Sequence, residues 1–157
     1  MRNVDVLVLV SAARLLTYAL VGCGRRSANV GAVLASALRT PGVLNAAVTQ
    51  ATIGATICRR GWTATVRPPT SYTNALKVQQ MAAYGETGSP SAYQEDHLIS
   101  LELGGDPTDP RNLWPEPYPR ASDVDRFEND LNARVCRGAL PLAEAQRKES
   151  ELKHDYG

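Results

Sequence analysis

The residues best suited to chemistry stand close together in one stretch of the chain. Asp96 and His97 are adjacent, and fourteen residues separate His97 from Asn112. A single imidazole can act as a general base, because its ordinary pKa lies near neutral pH. Carboxylate and amide oxygens are the ligands that hard cations such as Mg²⁺ prefer. Together these residue types could hydrolyse a phosphodiester, which requires an activated water and a cation that neutralises the phosphate.

The order of these residues resembles that of the HNH endonucleases. The string D-H-L-I-S-L-E-L-G-G begins at Asp96, and N-L-W-P begins at Asn112, before a helical pattern. HNH enzymes carry a ββα-metal motif of two short strands and a helix, and the resemblance covers residues 92–136. Residues 40–157 also look like a group of exported bacterial proteins of this kind. The resemblance implies an α+β fold, a small domain with a ββα-metal core and flanking helices.

The resemblance also implies roles for individual residues. His97 aligns with the general base, and Asp96 aligns with the first metal ligand. Asn112 aligns with the residue that fixes the loop and orients the histidine. The family's final histidine is absent from the helix that follows. The remaining metal ligands are therefore expected among three polar residues on one side of that helix, Asp125, Glu128 and Asn129.

This ligand set carries expectations about cofactor and substrate. Oxygen donors favour Mg²⁺ or Mn²⁺ over Zn²⁺, and the expected substrate is DNA or RNA. The missing histidine leaves an alternative, a non-catalytic binding module of the cell envelope on a degenerate HNH scaffold. Candidate contacts to the phosphates are five basic residues, Arg59, Arg60, Arg67, Lys77 and Arg111.

Charge is unevenly distributed along the chain, although the formal net charge is only +1. Residues 1–70 carry eight Arg and one acid, whereas residues 71–157 carry nine Lys or Arg and fifteen acids. A uniformly basic surface for nucleic acid is therefore excluded. The acidic half makes a bound cation more necessary to a nuclease, because carboxylates alone would repel phosphate. With only His97 and His154 as histidines, a site of several imidazoles is excluded as well.

The N-terminal residues resemble the signal of an exported lipoprotein. Arg2 precedes an apolar stretch that ends in L-V-G-C, which resembles a lipobox with Cys23 as the lipid anchor. We therefore predict a signal peptide at residues 1–22 and a flexible tether at residues 23–39. The protein would be exported, either attached to the membrane of the cell envelope or secreted. Arg14 interrupts the apolar stretch, so a cytoplasmic protein with an N-terminal helix is the alternative.

The chain has three cysteines, so they cannot all pair with one another. If Cys23 carries a lipid, Cys58 and Cys136 remain, and in an exported protein they would most simply form a disulfide. The alternative is two free buried thiols in a cytoplasmic protein. No two cysteines have the C-x-x-C spacing of a zinc knuckle.

Hydrophobic periodicity and stop signals predict the elements that must position these residues. Alternation over Trp62–Val66 predicts a strand, and alternation over Leu98–Leu103 predicts the first arm of the motif. Helices are expected where apolar residues recur at three- and four-residue steps. The other predicted elements are a helix at Ser71–Tyr84, a second arm at Asn112–Trp114, a helix at Ser122–Cys136 and a last helix at Pro141–Lys153.

Overall fold

The computed structural model describes residues 34–156, which form four helices and a two-stranded sheet. The predicted α+β class is therefore confirmed. No helix within these residues is long and apolar enough to cross a membrane. The elements follow in the order α1 (Trp62–Val66), α2 (Thr70–Tyr84), β1 (Tyr93–His97), β2 (Leu113–Pro117), α3 (Arg120–Cys136) and α4 (Leu142–Asp155).

The two strands form an antiparallel pair that places His97 opposite Leu113 and Asp96 opposite Trp114. β1 ends at His97, and a loop with two short 3₁₀ turns leads back to the sheet. β2 is followed closely by α3, so the order is strand, strand, helix. This is the order that the sequence predicts for residues 92–136.

The three predicted helices are present as α2, α3 and α4. α2 is followed by Gly85, whose φ of 76° lies in the left-handed region that glycine adopts most easily. α3 begins at Arg120, so Ser122 lies inside the helix and does not cap it. The buried face of α4 combines apolar and charged residues, namely Leu142, Ala145, Gln146, Glu149 and Lys153.

The segment Trp62–Val66 is a short α-helix, so the predicted strand is wrong. Residues four apart lie on one face of a helix and also on one face of a strand. The half-buried positions of Trp62 and Val66 therefore fit both periods. Within residues 34–156 the sheet contains β1 and β2 alone, so an extended segment here would lack a partner strand. The helix instead pairs its backbone groups internally.

The first arm of the motif lies earlier than predicted, because Leu98–Leu103 belongs to the loop after β1. The residues Leu101–Leu103 form a 3₁₀ turn. The alternating apolar residues of this segment pack into the core rather than along a strand. Ile99 and Leu103 join apolar residues of α3 and α4 there. The alternation therefore arises because Ile99 and Leu103 are buried against α3 and α4, and not because the segment pairs with a strand.

A disulfide joins Cys58 to Cys136, which confirms the predicted pair. It connects the segment before α1 to the end of α3, across a sequence separation of 78. Cys58 and Trp62 pack against the core that α3, α4 and the loop share. The bond therefore holds α1 close to α3, and Arg67 follows directly at the end of α1.

The described part of the chain begins within the predicted tether. Ala35 is buried, and its N–H donates to the carbonyl of Lys153 at 3.2 Å. The N–H of Ser36 donates to the hydroxyl of Tyr84 at 3.0 Å. Part of the predicted tether is thus attached to the domain. The predicted signal peptide, Cys23 and residues 24–33 lie outside the described residues.

Candidate functional site

Asn112 joins the two ends of the loop between β1 and β2. Its side-chain oxygen accepts the N–H of Ile99 at 3.0 Å, and its amide donates to the carbonyls of Ile99 at 3.0 Å and Asp106 at 2.9 Å. Gly105 lies against this amide, and a Cβ there would stand 1.7 Å from the carbonyl oxygen of Ile99. The glycine and the asparagine that the resemblance includes therefore build one tightly packed loop.

Replacing Asn112 by aspartate is expected to lower the free energy of unfolding by about 2 kcal/mol. The carboxylate still accepts the N–H of Ile99, but it cannot donate, so the carbonyls of Ile99 and Asp106 face a buried negative charge. Urea unfolding measures the loss. Asn45→Asp is the matched control, because the side-chain oxygen of Asn45 only accepts, from Ala47. Equal losses in the two variants would contradict this role of Asn112.

The same loop orients His97. Its Nε2 lies 3.1 Å from the carbonyl oxygen of Pro107. Because a carbonyl only accepts, Nε2 carries the proton of the neutral ring and Nδ1 keeps the lone pair. Nδ1 makes no hydrogen bond with any of residues 34–156. Burial lowers the pKa of His97 below its ordinary 6.5, so the ring is neutral at pH 7 with a free lone pair.

His97 and Asp96 line one cleft of about 230 Å³, together with Arg67, Asp125 and Glu128. Neighbouring side chains of a strand point to opposite faces, but β1 ends at His97, so both residues can face this space. Asp125 and Glu128 reach it from α3, and Arg67 reaches it from the end of α1. We call this space the His97 cleft. It combines a neutral imidazole, a guanidinium and three carboxyl groups.

Of the five basic residues predicted to contact phosphate, only Arg67 lines the His97 cleft within the described residues. Its guanidinium is exposed and forms no hydrogen bond or ion pair with residues 34–156. Arg59 and Arg60 line a separate depression. Lys77 donates to a backbone carbonyl of β1 at 3.0 Å, and Arg111 forms an exposed ion pair at 2.6 Å. Arg67 is therefore the candidate whose guanidinium lies beside His97 in this cleft.

Asn129 shares a second cavity with Asp125 and Glu128 but does not line the His97 cleft. Its side-chain amide donates to the backbone carbonyl of Asp125 at 2.6 Å, within the same helix. It lines an adjoining cavity of about 240 Å³ rather than the His97 cleft. The side chain is therefore turned toward its own backbone.

A buried lysine, which the sequence analysis did not identify, lies between the predicted ligands. The Nζ of Lys153 donates to Asp96 at 2.7 Å and to Glu128 at 2.5 Å. It also lies 2.5 Å from the carbonyl oxygen of His97 and 3.3 Å from Glu149. Burial alone would lower the pKa of Lys153, but the carboxylates, Asp96 foremost, raise it above its ordinary value. The ammonium is therefore charged and fully desolvated.

The position of the Lys153 ammonium group bears directly on whether Asp96 and Glu128 could bind a divalent cation. The carboxylates of Asp96 and Glu128 converge on one point, and Lys153 Nζ lies at that point. Within residues 34–156 no three His, Cys, Asp or Glu side chains are placed to hold a metal ion. Lys153 Nζ therefore occupies the space between the carboxyl groups of Asp96 and Glu128.

The buried surroundings of Lys153 contain more carboxyl groups than ammonium groups. Lys153 is surrounded by Asp96, Glu116, Glu128 and Glu149, and we call these five residues the Lys153 cluster. Glu116 is fully buried, and its carboxyl group lies within hydrogen-bonding distance of Asp96. Burial, and then the charge of Asp96, raise the pKa of Glu116 to about 8. Although burial opposes it, Lys153 lowers the pKa of Asp96. Glu116 is therefore protonated at neutral pH, and Asp96 is ionised.

The sequence contains a signal for this cluster in α4. Glu149 and Lys153 are four residues apart and share a helical face with Leu142 and Ala145. A solvated ion pair would lie on the face opposite the apolar residues. Charges at the apolar positions of an amphipathic helix therefore indicate a buried ion pair. Glu116 has no comparable signal, because it lies between two prolines.

Comparison of the chain with known protein families, with curated proteins and with solved structures finds no match. The His97 cleft thus defines a class of site. The buried neutral imidazole of His97 lies beside the guanidinium of Arg67, which has no partner among residues 34–156.

The wild-type protein is expected to lose stability between about pH 6.5 and pH 8, in part through Glu116. An unfolded glutamate has a pKa near 4.5, whereas the pKa of Glu116 is raised to about 8. In this range the folded state binds more protons than the unfolded chain, so the free energy of unfolding falls as pH rises. Glu116→Gln imitates the protonated carboxyl group, so its Tm at pH 8 should exceed that of the wild type.

Thermal unfolding at the two pH values measures this effect. Glu144→Gln is the control, because Glu144 lies on the exposed side of α4 in a solvated ion pair with Lys148. If the Tm of Glu116→Gln declines as steeply with pH as that of the wild type, Glu116 is ionised in the folded protein and the prediction is wrong.

Proposed function

We propose that this chain is a nuclease that hydrolyses phosphodiester bonds in DNA or RNA, with His97 as the general base. One observation carries the proposal. The neutral imidazole of His97 is fixed through Nε2 by the carbonyl of Pro107, keeps Nδ1 unbonded within residues 34–156, and lines a cleft with Arg67. The resemblance of residues 92–136 to the HNH endonucleases points to the same reaction.

In the proposed reaction, Nδ1 of His97 takes a proton from a water molecule that attacks the phosphorus atom. The carbonyl of Pro107 and the charge of Asp96 stabilise the imidazolium that forms. Arg67 binds the non-bridging oxygens, where negative charge increases in the transition state. The bond from phosphorus to the leaving oxygen breaks, and that oxygen takes a proton from solvent. Asn112 is a positioning residue, because it fixes the loop that presents Pro107.

Cleavage of supercoiled plasmid DNA and of a structured RNA by the full-length chain tests this proposal. Parallel reactions contain Mg²⁺, Mn²⁺ or EDTA. The requirement for the divalent cation that the resemblance implies is thus tested separately from the role of His97. We expect cleavage of at least one substrate. A folded sample that cuts neither nucleic acid under any of these conditions would contradict the proposal.

Replacing Arg67 by alanine is expected to lower kcat/KM for cleavage by about 10- to 100-fold, the cost of one charged hydrogen-bonding group at a phosphate. The effect should weaken at high salt, because counter-ions screen an exposed guanidinium. Arg59→Ala is the matched control, since Arg59 lines a different depression. Equal losses in both variants would indicate general electrostatic attraction rather than a contact in the His97 cleft.

We further propose that the protein is exported and attached to the membrane through a lipid on Cys23. The Cys58–Cys136 disulfide supports export, because disulfides persist in oxidising compartments. Mass spectrometry of the native N-terminus tests the proposal, since processing would remove residues 1–22. An unprocessed N-terminus would favour the cytoplasmic alternative.

A non-catalytic binding module is the second candidate, and Lys153 is the observation that favours it. Its ammonium neutralises Asp96 and also donates to Glu128, and both of these carboxyl groups are expected at a metal. A binding module would retain labelled nucleic acid in fluorescence anisotropy and leave it uncut. Cleavage that requires His97 would exclude this candidate.

A further inference from the structure

We infer that Lys153 is a built-in cation whose ammonium occupies a cation site and keeps Mg²⁺ and Mn²⁺ out of it. The site consists of carboxylate oxygens of Asp96, Glu128 and Glu149 and the carbonyl oxygen of His97. These four oxygens lie 2.7, 2.5, 3.3 and 2.5 Å from Nζ, respectively. They come from β1, α3 and α4, so three separate elements converge on one positive charge.

The site offers more oxygen atoms than one ammonium group has N–H donors. An ammonium group has three N–H donors, but four oxygens surround it. Glu116 is an independent observation, because its fully buried carboxyl group bonds to Asp96 through one oxygen and keeps the other without a partner among residues 34–156. Hard divalent cations take six to eight oxygen ligands. The cluster therefore has the composition of a cation site with spare ligands, in which the lysine is the resident cation.

The inference predicts opposite behaviour for two substitutions of the same lysine. Lys153→Ala removes both the ammonium and its alkyl stem, which leaves space for a metal ion with its waters among the carboxylates. Lys153→Met removes the charge but fills that space with an apolar side chain. Only the alanine variant should therefore gain a site for Mn²⁺.

Mn²⁺ binding to the full-length chain, followed by the loss of the EPR signal of free Mn²⁺, provides the test. Lys153→Ala is expected to bind Mn²⁺ about tenfold or more tightly than the wild type, because its buried carboxylates lack a counter-charge. Adding Asp96→Asn to this variant should abolish the gain. Lys148→Ala, on the exposed side of the same helix, should behave like the wild type.

Wild-type protein that binds one equivalent of Mn²⁺, and loses it in Asp96→Asn, would overturn the inference. A folded Lys153→Ala protein that gains no binding would overturn it as well. If this variant unfolds in EDTA, recovery of its circular dichroism in Mn²⁺ supports the inference, and failure to recover refutes it. None of these readouts measures cleavage, so this inference and the proposed nuclease activity can fail independently.

Discussion

The Lys153→Met variant is expected to lose about 3–5 kcal/mol of unfolding free energy at pH 7, the usual cost of removing one partner from a buried ion pair. Methionine fills most of the volume of the lysine stem, so a cavity contributes little. The loss arises because Asp96, whose pKa is lowered by Lys153, would remain buried without a counter-charge, and Glu128 would lose a hydrogen-bond donor. The carbonyl of His97 would lose its donor as well.

Urea unfolding followed by circular dichroism measures this loss. Lys148→Met is the matched control on the same helix, since its partly exposed ion pair with Glu144 is worth only about 0.3–0.5 kcal/mol. Adding Asp96→Asn to Lys153→Met should recover part of the stability, because the uncompensated charge of Asp96 disappears. A Lys153→Met protein as stable as the Lys148→Met control would show that the lysine does not neutralise the cluster.

Much of the fold could be predicted because its signals are local. The stop at Gly85 ends α2 as expected, and the apolar face of α3 repeats at helical spacing. The pairing of Cys58 with Cys136 followed from the compartment suggested by Cys23. Asp96, His97 and Asn112 could be recognised because a short string of residue types places all three near one loop. Apart from the disulfide, which follows by elimination among three cysteines, each of these conclusions depends on residues close together in sequence.

The wrong predictions concern segments whose structure depends on distant residues. Leu98–Leu103 alternates like a strand, but Ile99 and Leu103 pack with apolar residues of α3 and α4, and Leu98 packs with Trp114 of β2. Only the tertiary structure brings these partners together. Lys153 was overlooked for the same reason, because its partners Asp96 and Glu128 are 57 and 25 residues away in sequence. Its only local sign is its place with Glu149 on the apolar face of α4, which indicates a buried ion pair but does not identify the distant partners.

Two buried networks meet at His97. The first runs from Asn112 through the loop to Pro107, whose carbonyl holds the imidazole. The second is the Lys153 cluster, whose ammonium donates to the backbone carbonyl of His97. The loop thus fixes the ring of His97, and the Lys153 cluster fixes its backbone carbonyl. Such fixation lowers the cost of orienting a base for proton transfer.

The His97→Ala variant is expected to cut nucleic acid about 10²- to 10⁴-fold more slowly than the wild type, the usual contribution of a positioned general base. The affinity for uncut substrate should change little, because Arg67 rather than His97 is positioned for the phosphate. Burial lowers the pKa of His97 below 6.5, so wild-type activity should rise with pH only below that value and then level off. In His97→Ala this rise should disappear, because the group that must lose its proton is absent.

His154→Ala is the matched control, because the ring of His154 bonds to the carbonyl of Thr40 and lies outside the His97 cleft. It should retain wild-type activity and the wild-type pH profile. Free imidazole added to His97→Ala should restore part of the activity, which a purely structural role of the ring would not explain. If His97→Ala cuts as fast as His154→Ala, or keeps the low-pH rise, another group is the base, and the protonation state of His97 has no part in the reaction.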